Sequence, residues 1–263
     1  MYVGRSPSFV VGSIFMGFVF FIYMINRFSD LQEDFTNDIH KAVFFFERKS
    51  LLKFSIALMA AILITMLALG KLNSFHVFLL ACGAAYSYKV IPWYTFQKGF
   101  SLTRIKDIPI LKNITVASLW GISIFAIPLY FTGGPLENIQ QISILVIALT
   151  ISSFSNTLFD DVMDITGDLV ARTKTIPTLY GKKRSYQIIF AANLLWGATC
   201  TLLYFIGKLD LAHLTFVLLV SLFPILYVTL YEKKWLSQPI IDFIMEMDLL
   251  LFAGGLFLLS YLV

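Results

Sequence analysis

Eight apolar stretches, roughly 8–27, 50–70, 73–90, 112–132, 138–160, 184–206, 211–231 and 239–262, constrain this chain more than anything else in it. The hydrocarbon core of a bilayer is about 30 Å thick, and about 20 residues of apolar helix cross it. Within that core each backbone N–H and C=O must find a partner inside its own segment, so stretches of this length fold as helices. Only 14% of the 263 residues are charged, against about 25% in a soluble domain. The chain reads as an all-α integral membrane protein with about eight transmembrane helices. The first stretch runs into residues 26–34 with no small-residue cleavage site, and reads as a retained helix rather than a signal peptide. Lone prolines such as Pro128 and Pro224 are tolerated in membrane helices. Cys82 and Cys200 lie inside apolar runs without metal or redox spacing and read as small buried residues.

The loops alternate in charge. Lys41, Arg48 and Lys49 follow the first stretch, and Lys89, Lys98, Arg104, Lys106 and Lys112 follow the third. Arg172, Lys174, Lys182, Lys183 and Arg184 follow the fifth, and Lys233 and Lys234 the seventh. The opposite loops hold only Lys71 and Lys208. By the positive-inside rule the basic set faces the cytoplasm and both chain ends lie outside, as in a multi-pass protein of a bacterial inner or cell membrane. The net charge of +4 thus belongs to membrane-flanking loops and calls for no nucleic-acid partner.

One stretch carries chemistry. Residues 156–168 read N-T-L-F-D-D-V-M-D-I-T-G-D, with Asn156, Asp160, Asp164 and Asp168 at steps of four. On a helix these side chains share a face, where like charges repel unless a cation sits among them. Oxygen-only ligands suit a hard cation, and Mg²⁺ is usually held by one or two carboxylates together with substrate phosphates. A solvated acidic helix end is the plainer reading of a single acidic pair. Recurrence weakens it: Asn26, Asp30 and Asp34 repeat the order and spacing at the end of another apolar run. The 263 residues therefore read as one transmembrane domain of two pseudo-repeated halves around a shared site.

The loop 86–113 is long, aromatic and basic, and reads as an ordered cap with a short interfacial helix around 100–107. Asp242, Glu246 and Asp248 fall in the last stretch, where charges are expensive and face protein or water. Asp242 and Glu246 share a face, to orient an acceptor or to pair with a base such as Lys53. His40, His76 and His213 have no metal spacing and read as surface residues. Most of the 26 Phe and 12 Tyr read as lipid-facing bulk and interfacial anchors, a minority as rings facing a carbocation.

Together these residues resemble the UbiA superfamily of intramembrane prenyltransferases. Asn26, Asp30 and Asp34 are similar to its first Asn-x3-Asp-x3-Asp signature. The stretch from Asp160 through Asp161, Asp164 and Asp168 to R-T-K-T-I-P-T-L-Y-G, ending at Gly181, is similar to its second. Tyr86-Ser87, Pro92 and L-T-R-I-K-D-I-P-I-L-K-N resemble a third conserved stretch. The resemblance spans essentially the whole chain. It implies a helical bundle around a central cavity open to cytoplasm and lipid. It implies that Asp30, Asp34, Asp161, Asp164 and Asp168 hold Mg²⁺ on a polyprenyl diphosphate, with Asn26 and Asp160 beside them. Lys89, Arg104, Lys112, Arg172 and Lys174 become candidates for diphosphate contacts, Lys112 and Arg104 first because they lie in the matching loop. The family usually has nine spans, and the one missing here corresponds to its first. The Arg-rich run that follows the first motif in many quinone-pathway members is replaced by N-D-I-H-K-A-V-F-F-F-E-R-K.

The expected function is Mg²⁺-dependent transfer of an isoprenyl group to an aromatic or other lipid-soluble acceptor, with release of diphosphate. A quinone precursor, a chlorin or haem, and a glycerol-phosphate lipid are all open as acceptors. Two rivals stand beside it. The literal D-D-x-x-D at Asp160–Asp164 also suits a membrane terpene cyclase, which needs no acceptor. A cation transporter with inverted repeats would instead carry its ionisable groups near the membrane midplane.

Overall fold

Six of the apolar stretches are helices close to their expected limits: Lys49–Ala68, Ser74–Ser87, Leu111–Thr132, Ile139–Met163, Lys182–Phe205 and Leu211–Glu232. The computed structural model describes residues 17, 19–26, 28, 35, 39–70, 74–95, 99–132, 139–171, 173–245, 247–248 and 254–255. The first and last stretches are helical where described, at 19–26 and at 238–245. Among the described residues, four helices (Lys49–Ala68, Ile139–Met163, Lys182–Phe205 and Leu211–Glu232) are long and apolar enough to cross a membrane.

The described residues fall into two compact units. One comprises those within 113–163 and 179–263. Its three long helices, Ile139–Met163, Lys182–Phe205 and Leu211–Glu232, pack on one another. Leu145, Ala148 and Leu149 recur at helical spacing and close onto Cys200, Val217 and Val220, so one stripe of each helix forms a core. The opposite stripes, including Leu195, Leu202 and Leu219, stay exposed, as a surface facing lipid requires. Gly121 permits close helix contact: a Cβ there would lie 2.0 Å from Thr150 Oγ1 and 3.0 Å from the Val146 carbonyl oxygen. Aromatic rings fill the end of the bundle near the acidic motif. Phe159 is fully buried, with ring centroids 5.1 Å from Tyr227 and 5.2 Å from Tyr231. His213 is also fully buried, contrary to its reading as a surface residue. Asp210 caps the Leu211–Glu232 helix by accepting the His213 backbone N–H at 2.8 Å, and its other oxygen holds the imidazole Nδ1. The cap residue turns the ring inward.

The other unit comprises the described residues within 9–112 and 164–178. Leu63 is buried against Phe21, Met66 and Leu80. Gly83 lets the Ser74–Ser87 helix approach Ile22, whose side chain lies 2.9 Å from where a Cβ would stand. The expected interfacial helix at 100–107 is not present. Ile91–Thr95 and Gly99–Thr103 pair as an antiparallel hairpin, with Tyr94 opposite Phe100 and Pro92 opposite Leu102. Only Ile105–Asp107 turns, as one 3₁₀ turn. Aromatic and β-branched residues on both strands favour pairing across strands over a helix.

Candidate active site

The second acidic motif does not form one helical face. Asn156 and Asp160 lie on the Ile139–Met163 helix, but that helix ends at Met163. Asp164 occupies a turn, and Asp168 belongs to the next helix, Ile165–Ala171. The β-branched Ile165 and Thr166 and then Gly167 weaken helix formation where the break falls. Two of the four aspartates are buried and two exposed. Asp160 and Asp164 are exposed, whereas Asp161 and Asp168 are buried.

Each buried carboxylate has a neutral donor. Asp161 accepts a 3.0 Å hydrogen bond from the side-chain amide of Asn113, itself buried. Asn113 is the last residue of L-T-R-I-K-D-I-P-I-L-K-N, so a bond spanning 48 positions joins the basic loop's end to the acidic motif. Asp168 accepts from Thr175 Oγ1 at 3.1 Å, and its backbone carbonyl accepts the Thr173 N–H at 2.8 Å. The Thr175 N–H donates to Thr178 Oγ1 at 2.8 Å, which starts the Ile176–Tyr180 helix. The threonines of R-T-K-T-I-P-T thus fold the chain back onto Asp168.

Asn156 has a different role from the aspartates it resembles in spacing. Its carbonyl oxygen accepts from Tyr227 Oη at 2.6 Å, and its amide donates to Asp248 at 3.1 Å. Ser152 Oγ donates to the same oxygen of Asp248, which is buried. A carboxylic group inside a membrane bundle is tolerated when hydrogen-bonded in this way. Asp248 is thereby built into the bundle. Asp242 is exposed and Glu246 lies outside the described residues. Lys53, the base considered as its partner, lies over the Phe28 ring at 5.7 Å.

The basic candidates differ in how far they are committed. Arg104 is pinned by Asp107: its Nε lies 3.0 Å from both carboxylate oxygens and a terminal nitrogen 2.6 Å from one. Burial pushes the Asp107 carboxyl up, but the hydrogen bonds and charge of Arg104 outweigh it and hold the group below the ordinary carboxylate range. The pair is therefore stabilising above that ordinary value, and its contribution is lost as pH falls through the depressed folded value. Hydrogen exchange over residues 99–107 should stay slow until the pH drops below the ordinary range, while Asp107→Asn opens the segment at neutral pH. An exchange profile flat across that range in both proteins would rule the pair out as the tether.

Lys112 is half-buried at the start of the Leu111–Thr132 helix, and Lys89 and Lys174 are exposed. Lys106 is buried, a base that its place in the sequence did not single out. Ile110, two residues before Lys112, has φ +69°, a left-handed conformation costly for a β-branched residue. Asn26 is half-buried in the 19–26 helical segment, while Asp30, Asp34 and Arg172 lie outside the described residues. Among the described residues no three acidic, His or Cys side chains stand close enough together to hold a metal by themselves.

No family model matches the chain. It is similar to the digeranylgeranylglyceryl phosphate synthase of Thermococcus kodakarensis, 30% identical over 141 residues, 54% of this chain and 44% of that protein. It is also similar to the digeranylgeranylglyceryl phosphate synthase of Methanobrevibacter smithii, 27% identical over 114 residues, 43% of this chain and 40% of that protein. The matched stretch spans less than half the length of either relative. The apo structure of a UbiA homolog from Aeropyrum pernix K1 superimposes with a TM-score of 0.67, covering 98% of this chain and 94% of that one at 17% identity. A likeness at that identity shows the fold alone: the chain shares the fold of that UbiA homolog, and its apolar spanning helices make it an integral membrane protein.

Proposed function

We propose that the chain transfers an isoprenyl group from a polyprenyl diphosphate to a lipid-soluble acceptor and releases diphosphate. The observation that carries this reading is the buried Asn113–Asp161 hydrogen bond. It lies within one compact unit and sets Asn113, the residue after Lys112 in the chain, against the helix end that carries Asp160 and Asp161; a diphosphate site needs acids to hold a metal and bases to balance the remaining charge. The relatives' shared name supports a glyceryl phosphate lipid as acceptor over a quinone precursor or a chlorin or haem.

The acidic donors are all oxygen, which suits Mg²⁺. Because that ion commonly takes one or two carboxylates and completes its shell with water and phosphate oxygens, the lack of a three-acid cluster among the described residues is compatible with it. Asp30, Asp34, Asp160, Asp161, Asp164 and Asp168, with Asn26, are the residues that would hold it. When bound, it supplies positive charge to the diphosphate oxygens. Lys89, Lys112, Arg172 and Lys174 add to that charge. Arg104 adds less, because Asp107 already balances it. The allylic C–O bond breaks with its electron pair leaving on the diphosphate, and the acceptor's oxygen or ring carbon donates a pair to the cation and then loses a proton. Water must be kept out, since it would capture the same cation as an alcohol. Apolar walls and a lipid-dissolved prenyl tail serve that need. By the positive-inside rule, the acidic motifs open to the cytoplasmic side of the cell membrane.

The test is reconstitution in liposomes with Mg²⁺, a radiolabelled polyprenyl diphosphate and a glyceryl phosphate ether lipid. Label should enter the acceptor one-for-one with diphosphate released, and only when acceptor is supplied. A labelled cyclic hydrocarbon formed without acceptor would make the chain a cyclase, and metal flux without diphosphate release would make it a transporter.

A further inference from the structure

The hairpin Ile91–Thr95/Gly99–Thr103 carries an exposed apolar face. In an antiparallel pair, opposite residues point to one side, so Pro92, Tyr94, Phe100 and Leu102 share a face. All four are exposed, and Phe100, at 81%, is the most exposed large apolar side chain among the described residues. The Tyr94 and Phe100 rings pack against each other with centroids 5.2 Å apart, which makes the patch continuous. Ile91 and Thr103, at the hairpin's base, are only partly exposed. A lone two-stranded hairpin is marginal in water and needs its apolar face covered to be stable.

We propose that this face is seated in the headgroup–acyl boundary of the membrane, as an interfacial anchor for the basic loop. Continuity with the apolar helices on either side selects lipid as the occupant. The apolar Ser74–Ser87 helix ends four residues before the hairpin, and the Leu111–Thr132 helix begins eight residues after it. With so short a connection on each side, the strands stay close to the membrane surface. The 3₁₀ turn Ile105–Asp107 packs on the Ser74–Ser87 helix, and the Arg104–Asp107 pair fastens the strand to it. The side chains are of the interfacial kind, aromatic rings with the exposed Lys89 nearby to meet phosphate headgroups. Anchored this way, the loop holds its bases at the depth where a lipid diphosphate carries its own charge. The seating itself does not depend on the transferase reading.

Nitroxide labels at Tyr94→Cys and at Leu102→Cys, in a chain with Cys82→Ala and Cys200→Ala, test it in phosphatidylcholine–phosphatidylglycerol vesicles. Ser101→Cys, on the opposite face, is the comparison. Labels at 94 and 102 should be relaxed more by oxygen, which concentrates in the bilayer, than by a water-soluble nickel chelate, and the label at 101 should show the reverse order. The two apolar-face positions are independent, so one poorly folded variant leaves the other to decide. Overturning results are chelate-dominated relaxation at 94 and 102, which means the face is in water, or shielding from both agents, which means protein covers it.

Discussion

If the chain is the proposed transferase, replacing Asp164 by Asn should lower prenyl transfer by about 10²–10³-fold while the protein remains folded, the loss typical of removing one preorganised electrostatic contact to a reacting group. The expectation rests on exposure. Asp164 sits in the turn between two helices, with its side chain open to solvent. Asparagine keeps the size and removes the charge, so a large kinetic loss would report on charge alone. Asp160, exposed one residue before Asp161, should behave in the same way. Asp168→Asn is a less clean experiment, because Asp168 is buried and holds Thr175, and stability and turnover would fall together. The measurement is turnover in detergent alongside far-ultraviolet circular dichroism. If the Asp160→Asn/Asp164→Asn double variant transferred prenyl groups at near the parent rate, Asp160 and Asp164 would have no part in the chemistry.

Replacing Asn113 by Leu should destabilise the protein by about 1–3 kcal/mol and reduce turnover as well, the energy being that of a buried polar group losing a hydrogen-bond donor. Asn113 is 1% exposed and Asp161 3%, so water cannot replace the lost amide. The two effects separate in Asn113→Gln, which keeps an amide but lengthens its reach and misplaces the donor. Unfolding in mixed micelles titrated with SDS reads the first effect, and the initial rate of diphosphate release reads the second. Parent-like stability and rate in Asn113→Leu would mean that the link between basic loop and acidic motif is incidental, and the reading of the site would lose its main support.

Much of the local structure was legible without coordinates. Lys49–Ala68 and Leu211–Glu232 begin and end within a few residues of their apolar stretches, because a run of that length in lipid has only the helix open to it. The hairpin was not legible as such. Y-T-F-Q-K-G-F-S-L-T is compatible with a short amphipathic helix, and only the pairing of Tyr94 with Phe100 chooses strands. His213 misled for a related reason: a lone histidine near a helix start reads as surface until Asp210 is seen to turn it inward. The spacing of Asn156 likewise suggested one helical face shared with Asp160, Asp164 and Asp168, whereas its amide is committed to Tyr227 and Asp248.

By itself the order of residues determined the membrane as solvent and the limits of six helices, since hydropathy is a property of neighbours along the chain. Tertiary structure alone decided which acids are buried and what holds them. The partners of Asp161 and Asp248 stand 48, 96 and 92 positions away, at Asn113, Ser152 and Asn156. A buried carboxylate is tolerated only where donors converge on it, and convergence over such separations is set by how helices pack, which no local pattern encodes.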